Sequence, residues 1–319
     1  MKEKMLYHYC STQKCFDILS NKCLRLSDIG KSSDYSELSL FFPDIFYEIE
    51  NAFIYKPFEF HYESANGIEA MRHFLTRSYR YWDDKFVSGD FYNYVLCFSE
   101  KSDSLSQWRG YADDAHGCSL GFSKSALKNY CEKTKGVLEF VKIEYLVQAG
   151  IKRITRDSAL EALDKLKKLR DFVVDNFTHD YFSPETDKMV QNFFNDELEI
   201  IFIKSLKYKS YDFYEEQEWR IFFNIIPFKN ELKRETKDLY LGELFDKTID
   251  FIQERVKFVC VADDLVSFCP IEFDEFVQSP IKELWLGPKN KARVNDVELF
   301  LMKHQYMKVD VLESKITYR

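Results

Sequence analysis

The chain has 319 residues, 45% of them hydrophobic and 31% charged, with a formal net charge of −8. That length can bury a large core, and the acidic balance argues against a broadly basic nucleic-acid surface while leaving room for a local basic patch. No apolar run reaches the length of a bilayer span, and the opening MKEKMLYHYC carries no signal-peptide core, so a cytoplasmic protein without a membrane partner is expected.

The first strand is expected at Met5 to Tyr9, followed by a helix capped by Ser11 or Thr12 and ending near Asn21. Cys23 to Ile29 alternates like a half-buried strand, which would set His8 and Arg25 on neighbouring strands. His8 reads first as a satisfied core histidine and second as a site residue. Gly30 to Glu37 is a polar loop, and two helical stretches follow, from Glu37 toward Pro57 and from Ser64 to Phe86.

Tyr94 to Phe122 holds the densest set of polar groups beside aromatics. It reads as strand (Tyr94 to Phe98), polar loop, helix capped by Asp103 or Ser104, and buried strand (Gly117 to Phe122). Leu105, Trp108, Tyr111 and Ala112 recur at the spacing of one helix face. Trp108 can serve as a core anchor or as a stacking platform for a planar ring. A short helix, Ser123 to Lys133, and a strand, Val137 to Tyr145, come next.

The region from 150 to 208 reads as an antiparallel helical pair. Its first stripe runs through Ile151, Ile154, Leu160, Leu163, Leu166 and Leu169, with Lys and Arg opposite. That basic face is a solvated surface or, on the sharper reading, a nucleic-acid contact. The chain then returns to sheet at Trp219 to Ile226, entered through the carboxylates Glu215, Glu216 and Glu218. Like charges so close are either exposed or part of a site where a carboxylate acts. Val256 to Ala262, Ile281 to Gly287 and Met307 to Leu312 are further strands, and Val294 to His304 is an amphipathic helix.

The eight cysteines never form a C-x-x-C pair and sit in apolar runs, so they read as small buried hydrophobes in a reducing compartment, and no metal site is expected. The phosphate-loop, Rossmann, zincin and hydrolase-elbow signatures are missing from the sequence. Asp103, Asp113, Asp114 and the Glu215 to Glu218 cluster leave a magnesium nuclease as a third reading, which no spacing demands.

Taken together, LYHY, CLRLS, VLCFSEKSDSLSQWRGYA, HGCSLGF, YEEQEWRI, LWLGPKN and ESKITYR resemble the bacterial domain-of-unknown-function family 2971 over nearly the whole chain. A more distant likeness is to ADP-ribosyltransferases. There His8 matches the first-strand histidine, CFSEKSDSLSQW is similar to the segment that places an aromatic over nicotinamide, and Glu216-Gln217-Glu218 looks like the E-x-E motif. Cys97 departs from that pattern.

The likeness implies a mixed α/β fold, one domain over 1–319, with a split, twisted sheet of ADP-ribosyltransferase type and a helical insertion at about 150–208. It implies NAD as substrate, Glu218 and His8 as catalytic residues, and a cofactor-binding set of His8, Tyr9, Arg25, Ser99, Ser104, Trp108, Tyr111 and Glu216. The acceptor would be a protein or a nucleic acid, in a toxin or phage-defence effector that is monomeric or homo-oligomeric. The competing reading is a non-catalytic nucleotide or nucleic-acid sensor using the same residues.

Overall fold

The computed structural model describes residues 3–29, 40–42, 44–55, 65–88, 93–177, 184–224, 253–261 and 263–318. The fold is mixed α/β, built on an open, mostly antiparallel sheet of ten strands. In chain order these are β1 (Met5–Cys10), β2 (Cys23–Asp28), β3 (Asn93–Ser99), β4 (Cys118–Ser123), β5 (Leu138–Lys142), β8 (Glu218–Asn224), β9 (Lys257–Val261), β10 (Asp264–Glu272), β11 (Ile281–Leu286) and β12 (Asp310–Glu313). A separate parallel pair joins β6 (Glu144–Leu146) to β7 (Tyr208–Ser210). The helices are α1 (Thr12–Asn21), α2 (Asp44–Tyr55), α3 (Ala65–Ser88), α4 (Leu105–Tyr111), α5 (Lys124–Lys133), α6 (Gln148–Phe177), α7 (Pro184–Lys204) and α8 (Val294–Lys303).

The sheet forks at β3. One edge of β3 pairs with β8 along its whole length, from Asn93↔Asn224 to Ser99↔Glu218. The other edge meets β1 only at Tyr7↔Ser99 and β2 only at Ser27↔Val95 and Asp28↔Tyr94. β1 and β2 therefore diverge from a common edge, and they do not pair with each other as Arg25 and His8 were expected to require. Beyond β1 lie β4, β11 and β12, beyond β2 lie β10 and β9, and β5 completes the wing beyond β8.

Alternation along the strands divides the two faces. On one face Leu6, Leu24, Leu26, Leu96, Phe98, Leu120, Phe122, Ile221 and Phe223 are buried beneath Cys15 and Leu19 of α1, Leu127 and Cys131 of α5, and Val297 and Leu301 of α8. Ser11 caps α1 by accepting from the Lys14 amide, as its sequence position suggests. On the other face, the β3–β8–β5 wing carries Val95, Phe222 and Val141 against a layer made by α2, α3, α6 and α7. The β1–β4 side of that face carries Tyr7 and Tyr9 against Trp108 and Ala112. A strip between these two apolar clusters holds the charged residues considered below.

The predicted helical pair forms, with Leu163, Leu166 and Leu169 of α6 buried together with Phe194, Leu198 and Phe202 of α7. Leu160 falls off the stripe and is exposed. Lys165 and Lys168 pair with Glu197 and Asp164, so part of the basic face is neutralised within the helices. Truncating the seam removes methylene contacts that the neighbouring helices cannot refill. Leu166→Ala is expected to lower stability by about 3 kcal/mol, whereas Lys168→Ala at the exposed pair should change it by about 0.5 kcal/mol or less, measured by urea unfolding.

The Glu37 to Phe60 stretch is described in part, as α2, and the Gly30 to Glu37 loop lies outside the described residues. β10 was not anticipated: Pro270 interrupts the run, yet it sits inside a strand opposite Arg25 of β2. All eight cysteines are free, and seven of them are buried or half-buried, Cys260 being exposed. Among the described residues no helix is long and apolar enough to cross a membrane, and no cluster of His, Cys, Asp or Glu has the arrangement of a metal site.

Candidate functional site

Tyr7, Ser99 and Glu218 lie directly opposite one another on β1, β3 and β8, so their side chains share one face of the sheet. Glu218 opens β8 just after a 3₁₀ turn, Tyr211–Glu216. Between turn and strand, Gln217 takes a left-handed conformation at φ 47°. The result is that Glu216 and Glu218 meet the same ammonium group.

That group is Lys209 on β7, whose Nζ lies 2.7 Å from Glu216 Oε2 and 3.5 Å from Glu218 Oε2. Arg220, fully buried two residues along β8, donates to Glu218 through Nε (2.6 Å) and Nη2 (2.9 Å), and to the Leu206 carbonyl through Nη1 (3.1 Å). The Tyr145 hydroxyl accepts from the Glu218 amide at 2.8 Å. Two carboxylates and two cations thus form a balanced buried network. Burial alone would raise the Glu218 carboxyl, but Arg220 and Lys209, with a hydrogen bond from the Cys97 thiol, hold it below its ordinary value.

Glu216 is the member nearest the surface. Tyr111, 38% exposed at the end of α4, donates to Glu216 Oε1 at 3.0 Å. The Ser99 hydroxyl donates to the Glu216 carbonyl at 2.6 Å and accepts from the Lys101 amide. The rim is aromatic: Tyr211, Phe213 and Tyr214 of the 3₁₀ turn are each about half exposed, and the Phe213 ring covers the Lys209 ammonium at 4.8 Å.

His8 is not part of this cluster. It follows Tyr7 and so points to the opposite face, where its ring meets Phe98 edge-on at 6.0 Å. Its Nδ1 donates to the Cys97 carbonyl at 3.0 Å, at the place where β1 leaves β3. The imidazole thereby ties β1 to β3 at the fork. Burial lowers the His8 pKa below 6.5 despite that bond, and Lys14 adds to the lowering. The unfolded chain then binds a proton that the folded chain refuses, so stability should fall as pH drops from about 6.5 toward the folded value. His8→Gln should remove that part of the slope, read as the difference between the two proteins' urea midpoints at pH 7 and 5.5.

Trp108 is a core anchor in this structure. It is fully buried, its Nε1 donates to Asp103 Oδ1 at 2.6 Å, and it meets Tyr9 edge-on with centroids 4.7 Å apart. It presents no open ring face to a ligand here. Leu105 and Tyr111, expected on the same buried stripe, are more than a third exposed. The Tyr9 hydroxyl donates to the Lys101 carbonyl and accepts from the Ser104 amide, which fixes the polar loop. Ser104 takes the N-cap position of α4 without a capping bond from its side chain. Arg25 is exposed on β2, its guanidinium 4.5 Å from the Phe268 ring centre, away from the cluster.

Of the expected set, then, the structure gathers Ser99, Tyr111, Glu216 and Glu218, places Tyr9 and Trp108 beside them as packing, and separates His8 and Arg25. Sequence reasoning missed Lys209, Arg220 and Tyr145. Arg220 was open to discovery, since i and i+2 on a strand share a face. Lys209 and Tyr145 flank the helical insertion and carry no local signal.

The fold and site define an open forked sheet with an acid–base cluster at the start of the strand beside the fork. Residues 107–221, about a third of the chain, match the family model described as protein of unknown function (DUF2971). That segment runs from α4 to β8 and contains Trp108, Tyr111, Lys209, Glu216, Glu218 and Arg220. No curated protein and no solved structure matches the chain.

Proposed function

We propose that the chain is an NAD-consuming, ADP-ribosyltransferase-like enzyme whose site lies on the Glu216–Glu218 face of the fork. The supporting observation is the row Tyr7–Ser99–Glu218 across three adjacent strands beside the divergence of β1 and β2. That arrangement brings a first-strand residue, a serine and an E-x-E glutamate to one face; the first-strand histidine named by the likeness, His8, lies on the opposite face, and Tyr7 stands in the row in its place.

Cleavage breaks the bond between the ribose anomeric carbon and the nicotinamide nitrogen. The bonding pair leaves with nicotinamide, the ribose develops oxocarbenium character, and an acceptor on a protein or nucleic acid bonds to that carbon and releases a proton. A carboxylate beside the ribose lowers the barrier. Glu218 is held on both oxygens by the buried Arg220 and Lys209, whereas Glu216 shares Lys209 on one oxygen and has on the other only the Tyr111 phenol, which is more than a third exposed; the ligand-facing carboxylate on this reading is therefore Glu216, released from Tyr111, while Glu218 helps to position Lys209. The biological setting that goes with this chemistry is a bacterial toxin or phage-defence effector.

A second reading, a sensor that binds the nucleotide without cleaving it, is favoured by that same neutralisation of Glu218. Calorimetry with NAD, alongside nicotinamide release with and without cell extract, separates the two. Binding with release supports the enzyme, and binding without release even in extract moves the protein to the sensor class. Absence of NAD binding removes both in their NAD form.

A further inference from the structure

Two motifs remain outside the proposed site, LGPKN and ESKITYR, and the fold brings Gly287 and Lys289 of the first and Ser314 to Tyr318 of the second to the central segment. Asp113, Asp114 and Ala115 are consecutive left-handed residues at φ 51°, 45° and 75°. Such backbone costs about 1 kcal/mol or more per residue and persists only where its surroundings hold it. Here the Ala115 amide bonds the Trp108 carbonyl, the Lys289 amide bonds the Ala115 carbonyl at 3.0 Å, and the Gly287 amide bonds the Gly117 carbonyl at 3.0 Å. Neither glycine tolerates a side chain: a Cβ on Gly287 would lie 2.5 Å from the Ala115 carbonyl oxygen, and one on Gly117 would collide with the Cys10 carbonyl. This turn presents Asp114 and Lys289 toward one segment, Ser314 to Tyr318.

That segment has no strand ladder of its own. Its Ser314 amide bonds the Leu286 carbonyl at 2.9 Å, and its other polar ties run to side chains. Asp103 takes two adjacent donors, the Ser314 hydroxyl on Oδ1 at 2.6 Å and the Lys315 amide on Oδ2 at 2.9 Å. Ile316 and Tyr318 pack on the Tyr7–Tyr9–Trp108 cluster. The Tyr318 ring has the Lys289 ammonium 4.0 Å and the Arg109 guanidinium 5.8 Å from its centre, and its hydroxyl donates to Asp114 at 2.8 Å. A pair of neighbouring donors on a carboxylate, and a planar ring held against two cations, are what a nucleoside phosphate offers through its ribose diol, base and phosphate.

We propose that Ser314 to Tyr318 is a strap seated in a nucleotide subsite bounded by Asp103, Arg109 and Lys289, and that a nucleotide binds there by displacing it. The inference rests on the proposed nucleotide chemistry and adds the subsite and its intramolecular competitor. Lifting the strap would also uncover the Tyr9 and Trp108 rings, joining the aromatic expectation from sequence to the face on which Glu216 lies.

The test uses the full chain, two probes and hydrogen exchange at the Lys315 and Ile316 amides. NAD is the first probe, and AMP, which has the diol, phosphate and base but no nicotinamide, is the second. Displacement predicts that a bound probe accelerates exchange at these two amides while leaving the β4 amides protected. It also predicts that Ser314→Ala/Tyr318→Ala, which loosens the strap without touching the bounding residues, binds the probe about tenfold more tightly, because the open fraction rises. Unchanged or slowed exchange with probe bound overturns the strap, as does unchanged or weaker affinity in a variant whose circular dichroism is native. Displacement by AMP with no binding of NAD sustains the strap and removes the NAD reading. Binding of neither probe overturns both.

Discussion

Glu218→Gln is expected to lower the stability of the folded chain by about 3 to 5 kcal/mol, the cost of breaking a buried ion pair on one side only. Arg220 is fully buried and donates two hydrogen bonds to this carboxylate, at 2.6 and 2.9 Å, and an amide cannot neutralise the guanidinium. Lys209 would keep Glu216 at 2.7 Å, so the damage centres on Arg220. Replacing both members, Glu218→Leu with Arg220→Met, should recover most of the loss, because apolar pairs of similar volume avoid the desolvation of both ions. The acid limb supplies a second check. The folded carboxyl titrates below its ordinary value of 4.5, so its contribution is complete above that pH and is lost as pH falls through the folded value. Urea unfolding should therefore show a shallower decline of stability below pH 4.5 in Glu218→Gln than in the parent. Equal slopes, or a loss under about 1 kcal/mol at pH 7, would show that the network is not held as described.

The periodic parts of the fold were legible because their signals are local. The Ser11 cap, the Leu163–Leu166–Leu169 stripe and the alternation of Cys23 to Asp28 each depend on residues within a few positions of one another. The fork was not, since it rests on β1 and β2 sharing one edge of β3, a matter of pairing between distant segments. The placement of His8 shows the consequence. A histidine on the first strand was a reasonable site candidate, but the Tyr7↔Ser99 register fixes which face each residue takes, and one residue of register sends His8 to the far side. Trp108 illustrates a different limit, because helical spacing predicts that one face is buried without saying whether a ring is enclosed or open. Lys209 had no signal in its neighbourhood: it reaches Glu216 and Glu218 only because the α6–α7 pair returns the chain to a parallel β6–β7 contact.

The assignment of roles within the E-x-E segment leads to the second large effect, Glu216→Gln. Its carboxylate is bound by one buried ammonium and by one phenol that is more than a third exposed, so on the proposed reading it is the acid that a ligand entering past Tyr111 would meet. If it stabilises the oxocarbenium-like ribose, its charge matters chiefly in the transition state. Nicotinamide release should then fall roughly a hundredfold while NAD affinity stays within about threefold of the parent. Stability should fall by about 2 to 3 kcal/mol, since the buried Lys209 loses its 2.7 Å partner and keeps only Glu218 at 3.5 Å, which Arg220 shares, while an amide oxygen still accepts from Tyr111. Glu218→Gln should lose more stability, and turnover with it. Tyr111→Phe frees Glu216 from its phenol and should leave release unchanged or faster. A Glu216→Gln protein that releases nicotinamide at the parent rate would return the catalytic role to another group, and parallel losses of affinity and rate would make Glu216 a binding residue with no special part in the transition state.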